Sequence, residues 1–270
     1  MDFAYEHTRE EGTNWLQFPR DTQLRKQLFF PEEVNAHPAK MNLHLLQSVI
    51  EYVAKEGDVL LDPFGGTGSL MIAALQYMRV ILIELEEGYH KLQQQAKDRL
   101  TNEIPEAGAL ITLLHGDNRL MMPIPCNHII TSPPYAAMMS VSKGGTKRMR
   151  ENADDSFSKM DKQMQDYVKS PRNIGKLNNF LYNQEMVKVY KRCFESIQPG
   201  GTLTNILKDR IEAQQRVSLT GWADKVCQKC GFVPLLRDEW KPPGIQFTAI
   251  NKLHGLEVVE NESILIYRRP

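Results

Sequence analysis

Two stretches of this chain have residue types and spacings suited to chemistry. The first is Asp62-Pro63-Phe64-Gly65-Gly66-Thr67-Gly68, followed by acids at Glu84 and Asp117. The glycines let the backbone turn tightly and leave room for a ligand against the loop. The stretch lacks the Gly-Lys-Ser/Thr ending of a phosphate-binding loop and does not give a GxGxxG spacing, so by itself it reads equally well as a structural turn. Glu84 follows Asp62 by 22 residues, where an acid can take a ribose diol. The second stretch is Thr131-Ser132-Pro133-Pro134-Tyr135, which breaks off an apolar run at Ile130. Two successive prolines remove two backbone donors and forbid both helix and interior strand. This stretch is therefore either a strand-ending turn or a rigid shelf that holds Ser132 and Tyr135 in place.

The elements that must position these residues follow an α/β rhythm. Leu46, Val49, Ile50 and Val53 form a helical stripe, and Val59–Leu61 is a short buried strand running into the glycine loop. Ser69–Met78 reads as a helix, Arg79–Leu85 as a second strand, and Glu86–Leu100 as a helix with solvated charges. A third strand ends on Asp117, and a fourth, around Asn127–Ile130, ends at the double proline. Strands that are almost continuously apolar and alternate with helices imply a parallel sheet covered on both faces. Ligands of doubly wound sheets bind at the carboxyl ends of the strands, so Asp62, Glu84 and Asp117 converge on one crevice. Three acids there suit a nucleoside with an amine and hydroxyls rather than a pyrophosphate. Further on, Asn183–Ile197 reads as a helix closed by Pro199-Gly200-Gly201, Thr202–Leu207 as a fifth strand, and a helix runs to Cys230. Phe232–Trp240 and Glu262–Arg269 look like two closing strands. Residues 1–36 have no role fixed by their sequence.

Composition excludes several classes. The chain has 270 residues, 41% hydrophobic and 24% charged, with zero formal net charge, so no global field draws it onto a polyanion. Contact with nucleic acid must come from local clusters. The segment 141–176 holds nine basic against five acidic residues and few large apolar ones, which reads as a mobile insertion. Its Lys143, Lys147, Arg148 and Arg150 could neutralise phosphates, although a solvated face accounts equally well for them. Lys208 and Arg210 after the fifth strand read first as a solvated loop, with contact to the target backbone or base as the alternative. No apolar run is long enough to span a membrane, and the polar start is no signal peptide, so a cytoplasmic protein is expected. Cys227 and Cys230 have metal-type spacing without a second pair. With Trp222 and Val226 at helical spacing and Gly231 as a C-terminal cap, they read as helix cysteines, and no metal is expected.

Taken in order, His37-Pro38-Ala39-Lys40-Met41, Asp62–Gly68, Ile83-Glu84-Leu85, Gly116-Asp117-Asn118-Arg119 and Thr131–Tyr135 give the chain its likeness to a known family. It resembles the S-adenosylmethionine-dependent DNA amino-methyltransferases, which methylate cytosine at N4 or adenine at N6. The resemblance implies a Rossmann-like methyltransferase fold: a doubly wound, mostly parallel seven-stranded sheet with an antiparallel closing strand. It divides the chain into an N-terminal extension, residues 1–36, and a catalytic domain, residues 37–270, with 141–176 as target-recognition segment. It further implies that Asp62 and the loop Phe64, Gly65, Gly66, Thr67 and Gly68 hold the methionine part of S-adenosylmethionine. Glu84 with Leu85 would take the ribose, Asp117 with Asn118 the adenine, and His37, Pro38 and Ala39 would pack on the methionine end. In many relatives with Ser-Pro-Pro-Tyr the catalytic motif precedes the cofactor loop. Here the order is reversed.

The same resemblance assigns the shelf. An exocyclic amine is a poor nucleophile because its lone pair delocalises into the ring. Ser132 Oγ and the Pro133 carbonyl, stiffened by Pro134, would accept hydrogen bonds from the amine, and Tyr135 would stack on a base swung out of double-stranded DNA. A serine at the first position leans to cytosine-N4, with adenine-N6 as the runner-up. An RNA amino-methyltransferase and a non-catalytic cofactor-binding subunit are more distant readings. Pro125-Cys126 gives a rival cytosine-C5 reading, but Cys126 precedes the strand and leaves the double proline unexplained. Recognition sequence, oligomeric state and a cognate restriction enzyme are not written in the sequence.

Overall fold

The structure is a computed structural model, and it describes residues 7–36, 40–134, 169–212, 215–243 and 253–270. The chain begins with a ribbon of β1 (Thr8–Arg9) and β2 (Leu16–Gln17), then α1 (Thr22–Gln27), a 3-10 turn at Glu32–Ala36 and α2 (Leu43–Val53). Next come β3 (Val59–Asp62), a 3-10 helix at Ser69–Gln76, β4 (Arg79–Glu84), α3 (Glu87–Glu103), α4 (Pro105–Ala109), β5 (Ile111–His115), α5 (Asn118–Met121) and β6 (Cys126–Thr131). After a 3-10 turn at Ile174–Lys176 follow α6 (Asn179–Ser196), β7 (Ile197–Leu207), a hairpin of β8 (Arg210–Glu212) and β9 (Gln215–Val217), α7 (Leu219–Lys229), β10 (Val233–Lys241) and β11 (Glu262–Arg268).

One mixed sheet of nine strands runs β1-β2-β10-β11-β7-β6-β3-β4-β5. From β7 to β5 all pairings are parallel, whereas β11 pairs antiparallel with both β7 and β10. The expected seven strands are thus present, and the two-residue strands β2 and β1 extend the sheet beyond β10. Chain order reverses beside β3, whose neighbours are β4 and β6, so the crevice of a doubly wound sheet opens at the ends of these strands. Each buried strand supplies both faces: Leu60, Val80 and Leu82 enter the core under α2 and the 3-10 helix, while Leu61, Ile83 and Ile129 enter the core under α6 and α7. α2 starts where Asn42 Oδ1 accepts from the amides of His44 and Leu45, and it turns Leu45, Leu46, Val49 and Ile50 inward.

Three local differences from the sequence reading have physical causes. Ser69–Gln76 is a tight 3-10 helix whose residues Ser69–Ala74 are all buried, so packing rather than propensity sets its winding. Pro199-Gly200-Gly201 does not close a helix but continues β7. Gly200 donates to Arg269 O at 2.8 Å, and a Cβ on Gly201 would lie 2.0 Å from the Asn127 carbonyl of β6. The polar hairpin β8–β9 stands where the sequence reading passed from the fifth strand directly into a helix. No helix among the described residues is long and apolar enough to cross a membrane.

At the amino-terminal edge of the sheet, buried His128 bridges two neighbours. Its Nδ1 lies 2.9 Å from Thr202 Oγ1, and its Nε2 lies 3.3 Å from Asp58 Oδ2. Burial pushes the imidazole below its ordinary value, and the Asp58 carboxylate only partly opposes this. A histidine with a depressed folded pKa contributes stability above its unfolded value, about 6.5, and that stability is lost as pH falls. His128→Gln should therefore cost about 1 kcal/mol above pH 7. Denaturant titrations should show the gap to wild type shrinking as pH falls below about 6.5; a constant gap would contradict the depressed imidazole.

Candidate active site

Asp62 ends β3 and is buried. Its Oδ1 accepts from the Phe64 amide at 2.9 Å and from Thr131 Oγ1 at 2.7 Å. The carboxylate therefore pins the glycine loop and, across the sheet, the last residue of β6. Burial pushes Asp62 up to about 6, against the pull of the two hydrogen bonds. The loop itself presses on β4. Gly65 donates to Ile83 O at 2.8 Å, and a Cβ there would lie 2.8 Å from Gln93 Nε2 and 3.1 Å from Leu82 Cβ. Gly68 turns at φ 83°, and Thr67 between the glycines is buried. Gln93 of α3 donates to Gly66 O at 2.8 Å.

Glu84 ends β4 with each carboxylate oxygen engaged once: Gly66 N donates to Oε2 at 2.6 Å and Glu86 N to Oε1 at 2.7 Å. Two acceptor directions stay open, which is the number a ribose diol needs. Burial pushes this carboxyl up to about 7; the two amide hydrogen bonds oppose that, while the Glu86 and Asp62 charges add to it. Asp117 is in a different state. Arg119 grips it with Nε at 2.8 Å and Nη2 at 2.6 Å, and the Arg119 amide adds a bond at 3.1 Å. Burial works to raise its pKa, but the hydrogen bonds and charge of Arg119 outweigh burial and hold the group below the usual carboxylate range. One acceptor direction remains on Oδ2. Asn118 Nδ2 donates to Pro63 O at 2.7 Å, tying the end of β5 back to the glycine loop.

These ends enclose two adjoining hollows. One, of about 510 Å³, is lined by Phe64, Gly66, Ile83 to Glu86, Gly116 to Asn118, Pro134 and Arg172 to Ile174. The other, of about 460 Å³, is lined by Lys40, Met41, Asp62, Phe64 to Thr67, Ser69 and Ser132, among others. Phe64 and Gly66 belong to both, so the hollows form one elongated cleft. The shelf spans it: Ser132 faces the hollow that holds Asp62, and Pro134 the hollow that holds Glu84 and Asp117. Pro133 is buried between them.

The structure thus brings together Asp62, Phe64, Gly65, Gly66, Thr67, Glu84, Leu85, Asp117, Asn118, Ser132 and Pro134. His37, Pro38, Ala39, Tyr135, Lys143, Lys147, Arg148 and Arg150 lie outside the described residues. Lys208 follows β7 half-buried. Arg210 pairs with Glu212 at 3.0 Å and also donates to Asn179 Oδ1, so its charge binds the hairpin to α6. Cys126 sits at the amino end of β6, away from the cleft, and burial pushes its thiol up to about 12, which suits no nucleophile. Cys227 is buried against Asn205 Nδ2 at 3.6 Å, Gly231 ends α7 at φ 104°, and no cluster of metal-ligating residues occurs among the described residues. Sequence reasoning missed the roles of Arg119, which grips neighbouring Asp117 and also reaches Arg172 and Glu185, and of Glu86, whose carboxylate finds its partners far away along the chain; their only signal was a charge beside each strand-end acid.

A family model for N6/N4 methyltransferases, described as DNA methylase, matches residues 4–96. The candidate methylase YubD of Escherichia coli (strain K12) is 45% identical over 60 residues, 22% of this chain and 26% of that protein. Among solved structures, TrmN from Thermus thermophilus superposes with a TM-score of 0.50 at 12% identity, over 88% of this chain and 52% of that one. The precorrin 8W decarboxylase of Methanobacterium thermoautotrophicum gives 0.50 at 14% identity, over 93% of this chain and 98% of that one. The chain therefore spans about half of TrmN, and its match spans about a quarter of YubD. The two structural likenesses bear on the fold, which is the Rossmann-like methyltransferase fold. The family match and YubD support the N4/N6 DNA amino-methyltransferase family, whose cofactor is S-adenosylmethionine.

Glu84 yields a test in the ligand-free protein. Its folded pKa is raised from 4.5 to about 7, so its contribution to stability is present below the unfolded value and lost as pH rises through about 7. Relative to wild type, Glu84→Gln should gain about 1–3 kcal/mol between pH 5 and 8 in denaturant titrations. A difference independent of pH would contradict the buried, uncompensated acid.

Proposed function

We propose that this chain transfers a methyl group from S-adenosylmethionine to the exocyclic N4 amine of cytosine in DNA, directly and in line, with the base flipped out of the duplex. The observation that carries this reading is the shared cleft: the cofactor-type acids and the Ser132 shelf open onto hollows that meet at Phe64 and Gly66. The residues suit the cofactor. Gly65 lies where a side chain would clash with Gln93, Glu84 keeps two acceptor directions for ribose hydroxyls, and Asp117 keeps one for the adenine amine. His37, Pro38 and Ala39 are assigned to the methionine end. Bound there, the cofactor supplies an electrophilic methyl group.

The shelf residues work on the amine. Ser132 Oγ and the Pro133 carbonyl accept its hydrogens, draw the nitrogen toward sp3 geometry and fix its line of attack. Positioning of this kind can remove about 7–11 kcal/mol from a barrier. The Pro133 carbonyl costs no reorganisation, because two ring-locked residues hold it. Tyr135 supplies a flat face for the base, worth about 1–3 kcal/mol. Lys208 and the cluster Lys143, Lys147, Arg148 and Arg150 are assigned to phosphates. Adenine-N6 is the second reading: the matched family model spans both chemistries, and the shelf acts on either amine in the same way.

Purified protein incubated with labelled S-adenosylmethionine and either DNA or RNA, followed by nucleoside mass spectrometry, tests the reading. N4-methylcytosine from DNA is the expected product. N6-methyladenine would transfer the mechanism to the other base, and cofactor binding without transfer to any nucleic acid would overturn it. Ser132→Ala and Tyr135→Ala should each lower kcat on the order of a hundredfold and still bind S-adenosylhomocysteine. Unchanged turnover in both would refute these roles.

A further inference from the structure

We propose that Glu86 is a positioning residue that latches the segment 169–176 across the adenosine end of the cleft, so that a stretch far along the chain builds a wall of the purine subsite. This rests on the reading of the cleft as a cofactor site. Glu86 lies two residues beyond Glu84 and is 5% exposed. Its carboxylate gathers donors from residues more than eighty positions away: Asn173 Nδ2 to Oε1 at 2.7 Å, Ser170 N to Oε2 at 3.0 Å and Oε1 at 3.2 Å, and Lys169 N to Oε2 at 3.1 Å. A buried carboxylate is tolerated when its acceptor sites are filled in this way.

Arg119 closes the second side of the latch. The guanidinium that grips Asp117 also donates from Nη2 to Arg172 O at 2.9 Å. The segment is folded on itself by Asn173 Oδ1, which accepts from Gly175 N at 2.8 Å, and by Lys176 Nζ, which donates to Lys169 O at 2.9 Å. Its only regular structure is the three-residue turn Ile174–Lys176, so its position is set by these long-range bonds together with the burial of Ile174 in the core under α6 and α7. Arg172, Asn173 and Ile174 line the same hollow as Glu84 and Asp117. Ile83 and buried Ile174 add the apolar surface that a planar purine needs beside its polar edge.

Calorimetric titration of S-adenosylhomocysteine, cofactor kinetics and limited trypsinolysis after Arg172 together test the latch. In wild type the ligand should bind and slow cleavage. Glu86→Ala should weaken binding roughly tenfold or more, raise KM for the cofactor by a larger factor than kcat falls, and speed cleavage after Arg172 with or without ligand. Asn173→Asp keeps the acceptor for Gly175 N but sets a second carboxylate against Glu86. It should weaken binding likewise, and it covers the case in which Glu86→Ala fails to fold. Adding Glu86→Gln to Asn173→Asp reverses donor and acceptor and should recover part of the loss. Folded single variants that bind within about twofold of wild type would overturn the latch, since losing a charge-assisted bond costs more than that. A folded wild type that binds no S-adenosylhomocysteine would instead overturn the cofactor reading, and the latch with it.

Discussion

The hydrogen bond from Thr131 Oγ1 to Asp62, 2.7 Å long and fully buried, joins the two halves of the cleft. Asp62 closes the turn at the start of the glycine loop through the Phe64 amide, and Thr131 is the last residue of β6 before Ser132. Loop and shelf therefore cannot shift independently: moving one strains a bond in a dry interior, where an unpaired carboxylate is costly. The adjacency of β3 and β6 is the point at which the chain order of the sheet reverses, and it brings Asp62 and Thr131, distant in sequence, to one edge. The separation of Ser132 from the glycine loop is a consequence of that pairing.

Chemically similar acids are then driven apart by their surroundings. Glu84 and Asp62 are pushed upward by burial with little cationic help, whereas Arg119 holds Asp117 down. In the hollow that they share, Asp117 is thus a permanently charged acceptor and Glu84 a carboxyl poised near neutrality, while Asp62 in the adjoining hollow is also raised. A ligand that brings hydroxyls to Glu84 and positive charge near Asp62 relieves what burial imposes. The ligand-free protein carries that cost as lost stability, the trade commonly seen at binding sites.

The parallel strands were legible because runs such as Val80–Ile83 and His128–Ile130 are apolar on both faces, and the glycines and double proline marked their ends. The hairpin β8–β9 was not, because its three-residue strands are polar and gain their order from Arg210 bonds to Asn179 and Glu212. The strands β1 and β2 were hidden likewise, since two residues carry no periodicity and β2 is fixed by its pairing with Trp240 and Lys241. Within the site, the acids at strand ends could be read from position alone. Glu86 could not, because its carboxylate acts on residues that only the fold brings near, and neither could the reach of Arg119 beyond neighbouring Asp117 to Arg172 and Glu185. In the sequence Glu86 is one more charge at the start of a solvated helix.

The central claim is that three strand-end acids and the shelf form one cofactor-and-base site, and a crystal structure with S-adenosylhomocysteine tests it most directly. The account predicts ribose hydroxyls hydrogen-bonded to Glu84, the adenine amine directed to Asp117, and the sulfur in the hollow shared by Asp62 and Ser132. A ligand seated elsewhere, or one whose sulfur points away from Ser132 with no ribose contact to Glu84, would contradict it.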